Sequence, residues 1–483
     1  MRQAFNPYLP SFEYVADGEP YVFGDRLYVF GSHDRFNGTD FCMNDYVGWS
    51  APLNNLGEWK CHGTIYRKEQ DPLPNAKEGK MYAPDVQRGM DGRYYLYYMF
   101  DNSNYLSVAV CDEPAGKYEF YGYVRRKDGT VYGTQPGEAM KYDPGVLVDD
   151  DGSVYLYTGF NPVFPYEGNG INKVAAGCEV TVLEQDMVTV KQEAKVVIPD
   201  FKHSEGTGFE GHAFFEAPSI RKFNNRYYLV YSSENMHELC YAISDNPTEG
   251  FVYGGTLVSN GDIFYQGRTF EDTLNYIGTN HGGIEKIGDD YYVFYHRNSN
   301  KSFFNRQGCA DKLKMDENGK FSQCEMTSCG LNGRPLAGEG RYEARIACNL
   351  MSSRGAVPYT MPNIPGSGLD EIHPYFTQSG EDREDDPDQY IANMRDRSVA
   401  GYKYFDCRNI SGIKVEVRGS GSGYLTVAID EVNQIVGKAH VDFEKEWHEI
   451  KIACEIPDGV HAVYLSGEGE MIYDINSFTI VPA

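Results

Sequence analysis

Four ionisable residues stand at matching points of a repeated pattern: Asp17 in "ADGEP", Asp143 in "YDPGVL", Glu216 in "FFEAPSI" and His281 in "NHGGIEK". Each has a plain structural explanation taken alone. Asp17 fits a turn, Asp143 a loop dipeptide before proline, Glu216 a buried ion pair and His281 a hydrogen-bonded core histidine. Glu216 is the hardest to explain so, because a carboxylate between Phe214-Phe215 and Ala217-Pro218 is costly to bury without a purpose. Two carboxyl groups facing each other across a sugar are the minimal machinery for cleaving a glycosidic bond. One must be protonated to donate to the leaving oxygen, and the other ionised to act as base or nucleophile. A third carboxylate beside the acid raises its pKa by like-charge repulsion and helps to orient it. Asp17, Asp143 and Glu216 meet that three-part need.

The spacing that unites them comes from a repeated tight turn and Tyr-rich segment. It is written five times: "GDRLYVFGS" (24–32), "DGRYYLYYMF" (91–100), "DGSVYLYTGF" (151–160), "NNRYYLVYSS" (224–233) and "GDDYYVFYHR" (288–297). Each reads as the second strand of a hairpin whose turn is a Gly/Asp/Asn pair. "GEPYVF", "PDVQRG", "PGVLVD", "APSIRK" and "GGIEKI" are the strands leading in. Further strands echo one another, as in "YLSVAVCDEPAGKYEFYG" (105–122) and "LCYAISDNPTEGFVYGG" (239–255). A unit of about four strands recurring every ~60–70 residues is the signature of a β-propeller, here with five blades. The innermost strand of each blade lines the central channel, so its first residues gather at the axis. Counting back eleven or twelve residues from Tyr28, Tyr95, Tyr155, Tyr228 and Tyr292 reaches Asp17, the Ala83-Pro84 pair, Asp143, Glu216 and His281. In the second blade Asp85 lies slightly further along the strand.

Composition agrees with an all-β chain. Aromatic residues make up 14% of the 483, with 39 tyrosines, whose rings can stack on a sugar while their hydroxyls bond to it. The net charge of −26 argues against a nucleic-acid partner or an anionic membrane surface. The eleven cysteines form no CxxC pair, and the closest two, Cys324 and Cys329, sit in no zinc-type cluster. "MRQAFNPYLP" lacks the apolar core of a secretory signal and no long apolar run follows. Reduced thiols and a cytoplasmic location are therefore expected.

The repeats stop near residue 300, and "RQGCADKLKMDENGKFSQCEMT" (306–327) reads as the hairpin that completes the ring. A Pro/Gly-rich stretch (354–370) and an acidic run (380–388) follow. "GIKVEVRGSGSGYLTVAIDE" and "EWHEIKIACEI" then alternate apolar and polar residues with short turns. The expected organisation is a five-bladed propeller carrying the candidate site over 1–350 and a second all-β domain, a β-sandwich (jelly-roll), over 351–483.

At this point the chain resembles glycoside hydrolase family 43. The resemblance rests on "ADGEPYVFGDRLYVFGSHD", "YDPGVLVDDDGSVYLYTG", "FFEAPSIRKFNNRYYLVYSS" and "NHGGIEKIGDDYYVFYH", in that order. It implies a five-bladed propeller and an inverting mechanism, with Asp17 as general base, Asp143 as pKa modulator and Glu216 as general acid. It further implies that His281 lies near the axis and helps to hold a hydrated calcium ion, which would help keep Asp17 ionised. Arg306 in "NRQGCADKL" would be the arginine that contacts the sugar in exo-acting members. No organic cofactor is implied. One departure is that the family's base usually sits in an Asp-Pro dipeptide, whereas this chain has Asp17-Gly18-Glu19-Pro20, leaving Glu19 as a rival base. The C-terminal region resembles a family 6-like carbohydrate-binding sandwich in "GYKYFD", "EWHEIKI" and "YDINSFTI", with Trp447 readable as core or as a sugar platform.

These readings point to a hydrolase releasing terminal α-L-arabinofuranose, β-D-xylose or both from hemicellulose-derived oligosaccharides. Two alternatives stay open: an endo-acting arabinanase or xylanase with an open groove, and a non-catalytic glycan-binding propeller. A lectin, however, has no need of three converging carboxyl groups.

Overall fold

The computed structural model describes residues 3–163, 174–356, 370–383 and 389–483. Most of the Pro/Gly-rich stretch and the end of the acidic run thus lie outside the described residues. Strands dominate, and the helical content of the described residues is six single 3-10 turns.

Five four-stranded antiparallel sheets are each built from strands consecutive in sequence. Blade 1 comprises β1 (Val15–Phe23), β2 (Arg26–His33), β3 (Tyr46–Pro52) and β4 (Lys60–Tyr66). Blade 2 comprises β5 (Asp85–Arg88), β6 (Tyr94–Tyr98), β7 (Ser107–Cys111) and β8 (Glu119–Tyr123). Blade 3 follows with β9 (Gly145–Val148), β10 (Val154–Thr158), β11 (Gly177–Leu183) and β12 (Val190–Pro199). Blade 4 has β13 (Phe214–Phe223), β14 (Arg226–Ser233), β15 (Glu238–Ser244) and β16 (Val252–Ser259). Blade 5 has β17 (Ile284–Ile287), β18 (Asp290–Ser299), β19 (Ser302–Met315) and β20 (Phe321–Ser322). The five Tyr-rich repeats are therefore the second strands, and the 306–327 hairpin closes the fifth blade.

The tyrosines have a use that the sequence does not announce. The twelve largest fully buried side chains are all tyrosines, packed within and between blades. Their hydroxyls reach partners in neighbouring loops: Tyr97 donates to the Met187 carbonyl, and Tyr98 to Asp71 at 2.6 Å. A wedge-shaped gap between twisted sheets suits a flat ring whose polar tip ends at a backbone acceptor.

Among the described residues no strand is exchanged between the first and last blades, so the ring closes by contacts across their seam. Gly18 and Gly282 form an isolated parallel bridge. The N-terminal segment runs beside β19, with Tyr8 N donating to the Gly308 carbonyl (3.2 Å) and Ala310 N to Asn6 Oδ1 (2.9 Å).

The C-terminal region forms a ten-stranded sheet folded around one apolar core. Its short strands β21 (Leu336–Ala337), β22 (Gly340–Glu343) and β23 (Asn349–Met351) pair with strands from the end of the chain, so this sheet recruits residues ahead of position 351. They are followed by β24 (Tyr375–Gln378), β25 (Gln389–Met394), β26 (Val399–Cys407), β27 (Ile410–Ile429), β28 (Ile435–Asp442), β29 (His448–Ile456) and β30 (Gly459–Pro482). The "GSGSG" run is not a turn. It is the middle of β27, which pairs continuously with β30 while its two halves pair with β29 and β28. At Gly419 a Cβ would lie 2.3 Å from the Ile472 carbonyl oxygen, so β30 approaches β27 this closely only because the side chain is missing. Trp447 is partly buried, with the Arg418 guanidinium 4.4 Å from its ring centroid, so that cation already covers a face on which a sugar would stack.

Two bulges set the aim of the site. In β1, Ala16 pairs with Ser32 and Glu19 with Phe30, so Asp17 and Gly18 together oppose Gly31. In β13, Glu216 pairs with Ser232 and Ser219 with Val230, so Ala217 and Pro218 oppose Tyr231. Asp17 and Ala217 take left-handed φ of 54° and 65° at these bulges. A bulge re-aims a side chain that strict alternation would misdirect, and this one separates Asp17 from Glu19. Gly31 is required opposite the first bulge, since a Cβ there would lie 2.1 Å from the Ala16 carbonyl oxygen. Gly31→Ala is accordingly expected to destabilise the chain by about 1–3 kcal/mol, as overpacking against a fixed backbone does. It should also lower turnover in the fraction that stays folded, by shifting Asp17; chemical denaturation and turnover of the same sample would show both effects.

Candidate active site

One cavity of about 250 Å³ at the propeller axis is lined by Asp17, Asp143, Glu216, His281 and Arg306 together. The structure thus gathers all five site residues expected from the sequence, from blades 1, 3, 4 and 5. Asp17, Asp143, His281 and Arg306 are each at most 6% exposed, and Glu216 keeps part of its surface accessible. The remaining wall is largely apolar, with Phe41, Phe160, Phe215, Phe303 and three methionines beside Tyr82 and Tyr142.

Asp17 is held by a cation. Arg306 Nη1 donates to its Oδ1 at 2.8 Å, while Nε and Nη2 of the same guanidinium grip Asp34 at 2.9 and 3.0 Å. Asp34, fully buried, also accepts the backbone N–H groups of Arg306 (3.1 Å) and Cys42 (2.9 Å). His296 lies beside Asp17: its Nε2 donates to the Thr279 carbonyl (2.8 Å), and its Nδ1 is 3.4 Å from Asp17 N and 3.3 Å from Oδ1. Burial alone would raise the Asp17 carboxyl, but Arg306 overrides it and holds Asp17 well below the usual carboxylate range.

Glu216 has no such partner. Burial first, and then the charge of Asp17, pushes its carboxyl up to about 8, against a smaller opposing effect of Arg306. Asp143 is driven up in the same direction by burial, then by Glu216 and Asp17, and it accepts a hydrogen bond from the N–H of Ala217. Each of the two carboxyl groups thus holds its proton to higher pH than an ordinary carboxylate, partly because of the other's charge or that of Asp17. Through Ala217, the residue after Glu216, Asp143 also fixes the backbone from which the Glu216 side chain projects.

His281 Nδ1 is 3.7 Å from both Asp17 Oδ1 and Asp143 Oδ2, beyond hydrogen-bonding distance. Burial takes its pKa down to about 4 in spite of Asp17, so the imidazole is neutral and can offer a lone pair to a cation. This fits one nitrogen ligand in a shell otherwise made of water. Among the described residues, the one grouping of three potential metal ligands is His212, Glu238 and Cys240, away from the axis in blade 4. There Glu238 already accepts from Ser233 (2.6 Å), Asn235 (2.8 Å) and Thr256 (2.8 Å) as well as pairing with His212 (2.7 Å), which explains the cluster without an ion.

Glu19 is not among the residues lining the cavity. It accepts from Ser219 Oγ (2.9 Å) and Arg221 Nη2 (3.1 Å) in a separate buried network that also includes Tyr21, whose hydroxyl donates to Asp85 at 2.6 Å. Arg221 lies 4.0 Å from the Tyr21 ring centroid. The sequence reading missed Asp34 and His296. A signal existed: the second strand of each blade ends on the face where the first begins, and "GSHD" and "FYHR" carry a charged or titratable residue at those ends.

The model for "Glycosyl hydrolases family 43" matches residues 24–321. A "Xylosidase/arabinosidase" of Thermoclostridium stercorarium is 49% identical over 480 residues, covering 99% of each chain. "Xylosidase/arabinosidase 43A" of Humicola insolens is 30% identical over 319 residues, 59% of this chain and 88% of its own. Among solved structures, a family 43 β-xylosidase/α-arabinofuranosidase from a compost microbial metagenome, in complex with xylotriose and in calcium-free form, aligns with a TM-score of 0.52 at 26% identity. It covers 67% of this chain and 98% of that one. With its axial carboxyl groups, its five blades and a relative matched end to end, the chain belongs to glycosyl hydrolases family 43.

Proposed function

We propose that this glycoside hydrolase is exo-acting and inverting, and that it releases terminal α-L-arabinofuranose, β-D-xylose or both from hemicellulose-derived oligosaccharides. The observation that carries the reading is the contrast within one cavity: Asp17 paired with Arg306 at 2.8 Å, and Glu216 without a counter-charge. Glu216 donates its proton to the glycosidic oxygen as the bond breaks, and Asp17 takes a proton from the water attacking the opposite face of the sugar. Asp143 holds Glu216 through Ala217 and shares its proton demand. A cavity of about 250 Å³ suits one sugar ring better than a chain, since drug-sized ligands fill ~300 Å³ or more. The names of the relatives support both pentoses. Arg306 would reach the sugar only from a guanidinium already committed to two carboxylates. A hydrated divalent cation on His281, calcium by the family resemblance, would add positive charge near Asp143 and Asp17.

Hydrolysis of nitrophenyl α-L-arabinofuranoside and β-D-xyloside tests the activity, and NMR of the first-formed sugar tests the stereochemistry; a retained anomer would overturn inversion. Glu216→Gln is expected to lower kcat/KM about 10²–10⁴-fold on oligosaccharides with poor leaving groups and far less on nitrophenyl glycosides. Equal losses on both would remove Glu216 from the acid role. The pH profile carries its own sign. Activity should fall as pH rises through about 8, where Glu216 gives up its proton. The acid limb should lie below the ordinary aspartate range, and Arg306→Met should move it to higher pH by removing the cation that keeps Asp17 ionised. Chelation is expected to lower kcat and to move that limb to higher pH by less than Arg306→Met does, because Arg306 is the cation in direct contact with Asp17. Full activity of enzyme shown by metal analysis to hold no divalent ion would exclude the cation.

A further inference from the structure

We propose that the C-terminal sandwich acts as a clamp across the seam of blades 1 and 5, and that Asp382 and Thr377 are positioning residues for the Arg306–Asp17 pair. The proposal rests on the catalytic reading above only for its kinetic test.

Asp382 bridges the two ends of the blade 1 loop that forms part of the cavity wall. Its Oδ1 accepts Phe36 N at 2.7 Å and its Oδ2 accepts Asn44 Nδ2 at 3.0 Å. Between those ends the loop carries Phe41 and Cys42, both lining the cavity. The Cys42 N–H donates to Asp34, Asp34 grips Arg306 and Arg306 holds Asp17, so three hydrogen bonds carry the position of this loop to the general base. Neighbouring Arg383 pairs with Glu13 at the start of blade 1.

The other jaw sits on blade 5. Thr377 Oγ1 donates to Asn300 Oδ1 (2.9 Å), and Asn300 N donates to the Phe376 carbonyl (2.6 Å). Asn300 Nδ2 in turn donates to Asn37 of blade 1 (2.8 Å) and to Asn305 (2.9 Å), the residue before Arg306. Phe303 lines the cavity and is also part of the sandwich core that contains Phe376. The wall of the active site and the core of the second domain are therefore one packed body. Because the ring exchanges no strand at this seam, a part packed on both blades limits how far they can separate.

The test uses the full chain and small aryl pentosides, which a distant sugar-binding domain would not affect. Asp382→Ala is expected to lower kcat about ten- to a hundredfold with KM changed less than about twofold, the size of loss that a misplacement near 1 Å produces. Asp382→Asn keeps one acceptor oxygen and should recover part of the rate. In an Asp34→Asn background the effect of Asp382→Ala should be less than additive, since both act on Arg306. Thr377→Val, a milder change at the other jaw, should lower kcat with the same constancy of KM. An unchanged kcat, or a loss confined to KM, would overturn the clamp. If the wild-type enzyme itself left aryl pentosides intact, the proposed function would fail, and crystal structures would still judge the clamp. Arg306 displaced from Asp34 in Asp382→Ala supports it, and Arg306 in place overturns it.

Discussion

Everything at the axis depends on one buried guanidinium serving two carboxylates. Arg306, Asp17 and Asp34 are each at most 5% exposed, and taking such charges out of water costs several kcal/mol per ion unless the geometry is close to ideal. Here it is: both Asp34 oxygens and one Asp17 oxygen take up three of the guanidinium nitrogens, and backbone N–H groups satisfy Asp34 further. The triad cannot tolerate slack, because a widened gap would leave an unpaired buried charge. Its partners belong to opposite ends of the propeller sequence, Asp17 and Asp34 to blade 1 and Arg306 to blade 5. The demand for exact pairing is thus also a demand that the ring stay closed.

That constraint gives the local irregularities a common reason. The Asp17 bulge turns that side chain toward Arg306 and leaves Glu19 to Arg221, so two carboxyl groups only two residues apart meet two separate cations. A regular strand would have turned both to one side. The repeated bulge at Ala217-Pro218 brings a backbone N–H to Asp143 while Glu216 projects into the cavity. Asp17, Asp143 and Ala217 all hold a left-handed φ, unfavourable for a residue with a side chain, at the points where these bulges and the segment before Pro144 turn toward the cavity.

The propeller was legible in the sequence because its repeat is a strand-and-turn unit of constant length, and the axial residues were legible because inner strands start at a common height. Asp17, Asp143, Glu216 and His281 follow from counting alone. Asp34 and His296 do not, since they lie at the far ends of second strands and meet the axis only after the hairpin folds back. The excess of tyrosine was harder to interpret. It suggested a sugar-binding surface, yet most of it fills gaps between sheets, and the cavity wall is mainly phenylalanine and methionine. The "GSGSG" run shows the same limit: composition marks a place without side chains, but only pairing with β30 tells a close approach within a strand from a turn between strands.

The apolar wall also decides which carboxyl does what. Burial acts on Asp17, Asp143 and Glu216 alike, and by itself would protonate all three. Low polarity strengthens a nearby cation as much as it penalises a lone anion, so one charge placed off-centre splits the set. Arg306 hydrogen-bonds Asp17, whereas its charge acts on Glu216 and Asp143 only from a distance and is outweighed there by burial. Asp17 is ionised because blade 5 delivers a guanidinium to blade 1, and Glu216 is driven toward its protonated form because blade 4 receives none. Moving that single cation across the cavity would exchange the two roles without altering any carboxyl group. The division of labour therefore resides in the seam rather than in the carboxylates themselves.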